Sequence, residues 1–167
     1  MSSFVLEPLG RGHDRHGFRC GMDSIDRYLR ETARSHSEKN VSRTWVLVDS
    51  AAEVTPQPIL GFFTLTITSV EVIDWQNKPK GLPAQPLGVV LMGRLGVDGH
   101  HQGRGISKRL VELAKQVAFE TVSRSGGIGL VVDAANEALI PFYEKFGFRH
   151  VEPGGLRLFL PTATLLS

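Results

Sequence analysis

Leu95-Gly96-Val97-Asp98-Gly99-His100-His101-Gln102-Gly103-Arg104-Gly105-Ile106-Ser107-Lys108 is the stretch on which the fold turns. An apolar strand-like run enters a short loop with glycines at 103 and 105, and from Ile106 the period changes. Apolar positions then recur at Leu110, Leu113, Ala114, Val117 and Ala118, with Thr121 continuing the same face of an amphipathic helix. Gly103 and Gly105 can turn several backbone N–H groups toward one point. The helix N-terminus adds a partial positive charge. A pyrophosphate fits such a turn, with Arg104 and Lys108 as charge-assisted donors. The same residues also suit a tight strand-to-helix turn in which glycine serves geometry alone. A P-loop is excluded because no Gly-Lys-Ser/Thr is present, and so is the Gly-x-Gly-x-x-Gly dinucleotide fingerprint.

Upstream of this stretch, Leu87 to Val97 reads as a long strand. Gly93 and Gly96 mark a bulge or a close backbone approach within it. Thr44 to Val48 and Ile59 to Val70 are rich in β-branched and aromatic residues and also read as strands. Phe4 to Leu6 is a first strand. Asp23 to Ala33 is a helix with Asp23 as its N-cap, and Ser35 to Val41 a second short one. Downstream, Gly126-Gly127 ends the long helix. Ile128 to Val132 is a continuous apolar run, as in a strand buried on both faces. A short helix spans Leu139 to Phe146, with Pro141 near its start and Gly147 as its stop. Phe148 to Val151 and Leu156 to Leu160 close the chain as strands. The order is β-α-α-β-β-β-α-β-α-β-β, a mixed sheet with helices on its faces.

The chain has 167 residues, of which 41% are apolar and 22% charged, and it reads as one domain over residues 1–167. The segments Glu53 to Pro58 and Asp74 to Pro86 are turn-rich but too short to be domain linkers. No run is long and apolar enough to span a bilayer, and no secretory signal is expected at the N-terminus. With the single Cys20, these features point to a reducing, cytoplasmic setting without membrane association. A net charge of +2 calls for nucleic acid only if the charge is gathered on one face. No metal-ligand cluster stands out.

Two motifs carry a resemblance. Gln102-Gly103-Arg104-Gly105-Ile106-Ser107 resembles the Gln/Arg-x-x-Gly-x-Gly/Ala signature of the GNAT acetyltransferases, with Ser107 where that family has Gly or Ala. Asn136-Glu137-Ala138-Leu139-Ile140-Pro141-Phe142-Tyr143-Glu144-Lys145-Phe146-Gly147-Phe148 looks like its second signature. The resemblance implies an α/β (α+β) GNAT fold with a mixed sheet of about six to seven strands. It also implies that acetyl-CoA lies between two splayed parallel strands. Leu95, Gly96 and Val97 would pair with the pantetheine arm. The backbone of Gln102, Gly103, Arg104, Gly105, Ile106 and Ser107 would hold the pyrophosphate, and Asn136 would bond the pantetheine. Tyr143 would be the general acid that donates to the departing thiolate; without the motif it reads as a helix tyrosine packing on the sheet. Transfer in this family is direct, so Cys20 is expected to be an inert thiol. His100 and His101 are either helpers to the base or structural.

The N-terminal half narrows the resemblance. Phe18-Arg19-Cys20-Gly21-Met22-Asp23-Ser24-Ile25-Asp26-Arg27-Tyr28-Leu29-Arg30 looks like the opening of GNAT toxins of bacterial toxin–antitoxin pairs, with Ile25 replacing their commoner leucine. Leu60 to Leu65 resembles their Gly-Tyr-Tyr-x-Leu strand. Gly93 to Asp98 is similar to their Gly-Arg-Leu-Ala-Val-Asp strand, with Gly96 in place of alanine. Such toxins acetylate the α-amino group of aminoacyl-tRNA and stop translation. The likeness implies a ribbon-helix-helix antitoxin and a homodimer. Arg27, Arg30 and Arg34 recur at helical spacing and suit tRNA phosphates. They equally suit a solvated face paired with Asp26, Glu31 and Glu38. Arg94 is expected to line the acceptor pocket. Two other readings share the motifs: a GNAT enzyme acting on small amines or peptide N-termini, and a non-catalytic CoA-binding or DNA-associated module.

Overall fold

A change of sequence period becomes a change of element at almost every expected place. The computed structural model describes residues 3–166. Strands β1 (Phe4–Pro8) and β2 (His13–Asp14) precede helices α1 (Asp23–Glu31) and α2 (Ala33–Glu38). Strands β3 (Arg43–Asp49), β4 (Gln57–Pro58), β5 (Gly61–Val70) and β6 (Leu87–Val97) follow. The remainder is α3 (Ile106–Ser125), β7 (Gly129–Asp133), α4 (Ile140–Glu144), β8 (Arg149–His150) and β9 (Arg157–Pro161). Seven strands hydrogen-bond in the order β1-β3-β5-β6-β7-β9-β8, the mixed sheet with flanking helices that the motifs imply. β6 and β7 run parallel, with Val90 to Met92 opposite Leu130 to Val132. A parallel pair needs a crossover, which α3 supplies. The two-residue pair β2–β4 has no counterpart in the sequence reading, because two residues carry no periodicity.

The chain divides into two compact units, each assembled from separated segments. One runs to Thr66 and takes in Arg94–Ala114; the other comprises Ile67–Gly93 and resumes at Lys115. In the first unit, α1 lays Ile25, Tyr28 and Leu29 into a core with Phe18, Val46 and Phe62. Burying such side chains supplies about 1.5–3 kcal/mol each. In the second unit, Val89, Val131 and Val151 form a core with Phe159, over which Trp75 packs at 5.1 Å.

Three local expectations shift. The N-cap of α1 is Met22 and makes no side-chain cap bond. Asp23 lies inside the first turn and binds Arg27 instead, at 2.7 Å. The helix breaks at Thr32, so Arg34 stands on α2 and not on a continuation of α1. The C-terminal helix begins as a 3-10 turn, Glu137–Leu139, before α4. Its stop is Gly147 with φ of +97°, as expected.

The two departures from the toxin pattern meet in space. A Cβ built at Gly96 would stand 3.1 Å from Ile25 Cγ2 and 3.4 Å from the Cys20 side chain. Ile25 is β-branched where leucine is commoner, and its extra methyl fills the room an alanine at 96 would use. Gly61 plays a similar part. A Cβ there would lie 2.8 Å from Leu110 Cδ1, 3.0 Å from the Gly96 carbonyl and 3.2 Å from Ile106 Cγ2, so glycine lets the first turn of α3 seat closely. Gly96→Ala is expected to destabilise the protein by about 1 kcal/mol, and Ile25→Leu in the same chain to restore most of that loss. Chemical unfolding of the four members of this cycle measures it; purely additive effects would show that the two side chains do not compete for space.

Candidate acetyl-CoA and acceptor site

β6 runs unbroken through Gly93 and on past its paired residues to Val97. Five residues therefore extend beyond the register that ends at Met92 and Val132. Asp98 follows, with 6% of its surface exposed. Its Oδ1 accepts the Arg19 N–H at 3.0 Å, and its Oδ2 accepts the His100 N–H at 3.1 Å. Its own N–H donates to the Leu60 carbonyl at 2.9 Å, and the Gly99 N–H donates to the Arg19 carbonyl at 2.7 Å. Gln102 reaches back as well, its Nε2 lying 3.2 Å from both the Cys20 and Val97 carbonyls. The loop is thus held at both ends by groups that face inward.

Between those anchors lie Gly103, with φ of +81°, and Gly105, with φ of +75°. Left-handed backbone of this kind is strained for any residue with a Cβ. Nothing stands within 4 Å of a Cβ built at either position, so the space before the turn is open. Among the described residues, the N–H groups of Gly105, Ile106, Ser107 and Lys108 find no protein acceptor, while the Arg109 N–H already bonds the Gly105 carbonyl. Ile106 sends its side chain into the core and offers only its backbone. Unpaired donors at the head of a 20-residue helix, facing open space, make an anion cradle. Arg104 turns aside from it, with its guanidinium 2.9 Å from His101 Nδ1 and 5.6 Å from the Phe4 ring centroid.

The basic residues of the same unit are unequal. Arg27 is engaged by Asp23 at 2.7 Å and Glu31 at 3.8 Å, and Arg34 by Glu38 at 2.9 Å. Both are the same-helix pairs of a solvated face. Arg30 has no carboxylate partner among the described residues; its carbonyl accepts from Arg15 Nη1 at 2.6 Å. Arg94 is exposed rather than enclosed in the strand, and its Cζ lies 3.7 Å from the Tyr28 ring centroid.

In the other unit, Asn136 is exposed in extended backbone ahead of the 3-10 turn, and its side chain makes no cap bond. Tyr143 is 5% exposed and packed edge-on against Phe142 and Phe148. Burial pushes its phenol up to about 12. Among the described residues its hydroxyl has no hydrogen-bond partner, yet it is not sealed from solvent. It therefore stays protonated at any working pH with its hydrogen free to donate. Cys20 contrasts: burial, with help from Asp26, pushes its thiol up to about 11. A thiol so disfavoured as thiolate is a poor nucleophile.

Asp98 and Tyr28 are two side chains around the candidate site to which the sequence reading gave no role. Asp98 had a signal, since an Asp before Gly at a helix-like turn is a capping residue. Tyr28 had none, because a tyrosine on an apolar helix face reads as core.

A family model, the acetyltransferase (GNAT) family, matches residues 20–148. A tRNA-acetylating toxin of Mycobacterium tuberculosis is 28% identical over 147 residues, covering 88% of this chain and 85% of that protein. Among solved structures, AtaT complexed with acetyl-methionyl-tRNAfMet superposes with a TM-score of 0.87 at 28% identity, covering 97% of this chain and 96% of that one. A mutant AtaT toxin bound to the C-terminus of the antitoxin AtaR and acetyl-CoA superposes with a TM-score of 0.79 at 26% identity, covering 98% and 96%.

Gly105→Asp is expected to abolish acetyl-CoA binding by calorimetry, because strain and a negative charge enter the cradle together. Affinity within threefold of the unmodified protein would rule the cradle out as the pyrophosphate seat. Asp98→Ala leaves two N–H groups without their acceptor and is expected to cost about 1–3 kcal/mol in chemical unfolding.

Proposed function

The chain belongs to the acetyltransferase (GNAT) family, and from that premise we propose that it is a toxin that acetylates the α-amino group of aminoacyl-tRNA and so blocks translation. It is an acetyl-CoA-dependent N-acetyltransferase. The observation that carries the reading is the open left-handed turn at the head of α3, with its unpaired N–H groups. Acetyl-CoA supplies an activated acetyl group. Gln102 to Ser107 would hold its pyrophosphate through backbone N–H groups, Leu95 to Val97 would offer backbone to the pantetheine arm, and Asn136 would bond that arm. The acceptor nitrogen attacks the thioester carbonyl carbon; the N–C bond forms and the C–S bond breaks. Tyr143 would donate its proton to the departing sulfur and regain one from solvent, to which the amine loses its own. An α-amine needs little help in that step, since its pKa is about 7.7–8.0.

Arg30 and Arg94, free of carboxylate partners among the described residues, contact the tRNA more strongly than Arg27 and Arg34, which must first give up their acidic neighbours. The substrate implies a cytoplasmic setting, and no helix among the described residues is long and apolar enough to cross a membrane. We read residues 1–167 as one domain, since the family match spans segments of both units. By analogy with AtaT, which binds the C-terminus of AtaR, an antitoxin tail covers the site; a ribbon-helix-helix antitoxin and a homodimer complete the reading. The same-helix pairing of Arg27 and Arg34 favours a second reading, transfer to small amines or peptide N-termini.

Labelled acetyl-CoA offered to mixed aminoacyl-tRNAs, with uncharged tRNA and free amino acids alongside, decides between them. Label on charged tRNA alone is expected; label only on free amines would select the second reading. Tyr143→Phe should lower kcat about 100-fold or more while acetyl-CoA affinity is kept. The pH profile of kcat/KM should rise through about 7.7–8.0 as the amine deprotonates and then stay level past pH 10. The sign follows from the phenol: held at about 12, it keeps its proton throughout that range. A falling limb near pH 10 would mean an ordinary solvated tyrosine and would remove the assignment.

A further inference from the structure

Arg94 is an exposed cation with no carboxylate partner among the described residues, held by stacking rather than by charge. Its Cζ lies 3.7 Å from the centroid of the Tyr28 ring, so one side of the guanidinium is spent on the ring, while the residue as a whole is exposed. The platform beneath is fixed. Tyr28 is 6% exposed, and its hydroxyl lies 3.1 Å from His36 Nδ1 and 3.0 Å from Ser42 Oγ. The His36 ring meets the tyrosine edge-on at 5.6 Å. An arginine supported in this way has little rotamer freedom left to lose on binding.

Its place matters as much as its support. Side chains alternate along a strand, so Arg94 and Gly96 point to one face. That face is the α1 side, because a Cβ at Gly96 would meet Ile25 and the Arg94 guanidinium lies over Tyr28. Arg94 thus stands exposed over the Tyr28 ring one residue before Leu95, where the segment proposed for the pantetheine arm begins. A phosphate needs only a positive charge there, which lysine would supply. A rigid flat cation suits a flat partner, and the bases of an unpaired strand stack on arginine planes.

We propose that the outer face of Arg94 stacks a base of the single-stranded 3′ end of aminoacyl-tRNA, with Tyr28 as the positioning residue beneath it. The proposal rests on the aminoacyl-tRNA reading above and names the group that orients that substrate.

Steady-state kinetics with one purified aminoacyl-tRNA tests it, alongside acetyl-CoA affinity by calorimetry. Arg94→Lys keeps the charge and loses the plane. It is expected to raise KM for aminoacyl-tRNA roughly tenfold, with kcat moving far less and acetyl-CoA affinity kept. Tyr28→Leu removes the platform and is expected to follow Arg94→Lys, whereas Tyr28→Phe keeps the ring and loses at most about threefold. Thermal melting shows which Tyr28 variants are folded; Arg94 is exposed, so its variant decides the matter even if they are not. A normal KM in Arg94→Lys would mean that charge alone suffices and would overturn the proposal, as would a KM rise that tracks weakened acetyl-CoA binding. Absence of transfer by the unmodified enzyme is seen before any variant is compared. It would sink the aminoacyl-tRNA reading and this inference with it.

Discussion

The buried carboxylate of Asp98 is the constraint on which the glycine loop before α3 depends. Both of its oxygens accept backbone N–H groups, one from Arg19 and one from His100, while its own N–H is tied to Leu60. One residue therefore joins the end of β6, the segment before α1 and the turn before α3 through its side chain, and the segment before β5 through its backbone N–H. Charge-assisted bonds from a buried carboxylate are stronger than neutral ones, and losing them leaves donors stranded. Gln102 adds a second strap from the other end of the loop. With the ends so fixed, Gly103 and Gly105 can hold a left-handed turn that would otherwise relax.

That rigidity has a chemical use. Donors fixed in advance need no reorganisation when an anion arrives, which is how a helix head becomes a binding site rather than a frayed end. The glycines leave the space before those donors open, and Arg104, bonded to His101, does not fill it. Two of the groups that burial perturbs bear on the proposed chemistry in the same sense. Tyr143 keeps its phenolic proton because its pKa is pushed up, and Cys20 stays a thiol because its own is pushed up. The proposed direct transfer to the amine would use the first and has no place for a thiolate at Cys20.

Much of the architecture was legible in the residues. The switch from strand to helix at Ile106, the glycine pair that ends α3, the apolar run of β7 and the stop at Gly147 all follow from period and local backbone preference. The misreadings are local. Asp23 was a reasonable cap by residue type, but Arg27 one turn on competes for its carboxylate. The boundary between the two N-terminal helices lies at Thr32, within two residues of its expected place, with no glycine or proline to mark it. The β2–β4 pair is too short to carry a pattern.

From the residues alone came the order of the longer elements, the glycine turn before α3 and the family resemblance, because each depends on neighbours a few residues apart. Tertiary structure decided what those residues do to distant ones. It set Gly96 against Ile25, joined Asp98 to Arg19 across 79 positions, and laid Arg94 on Tyr28. It also separated the arginines that already have acidic partners from those that do not. Packing and pairing between remote segments are properties of the folded chain, and no spacing along the sequence encodes them.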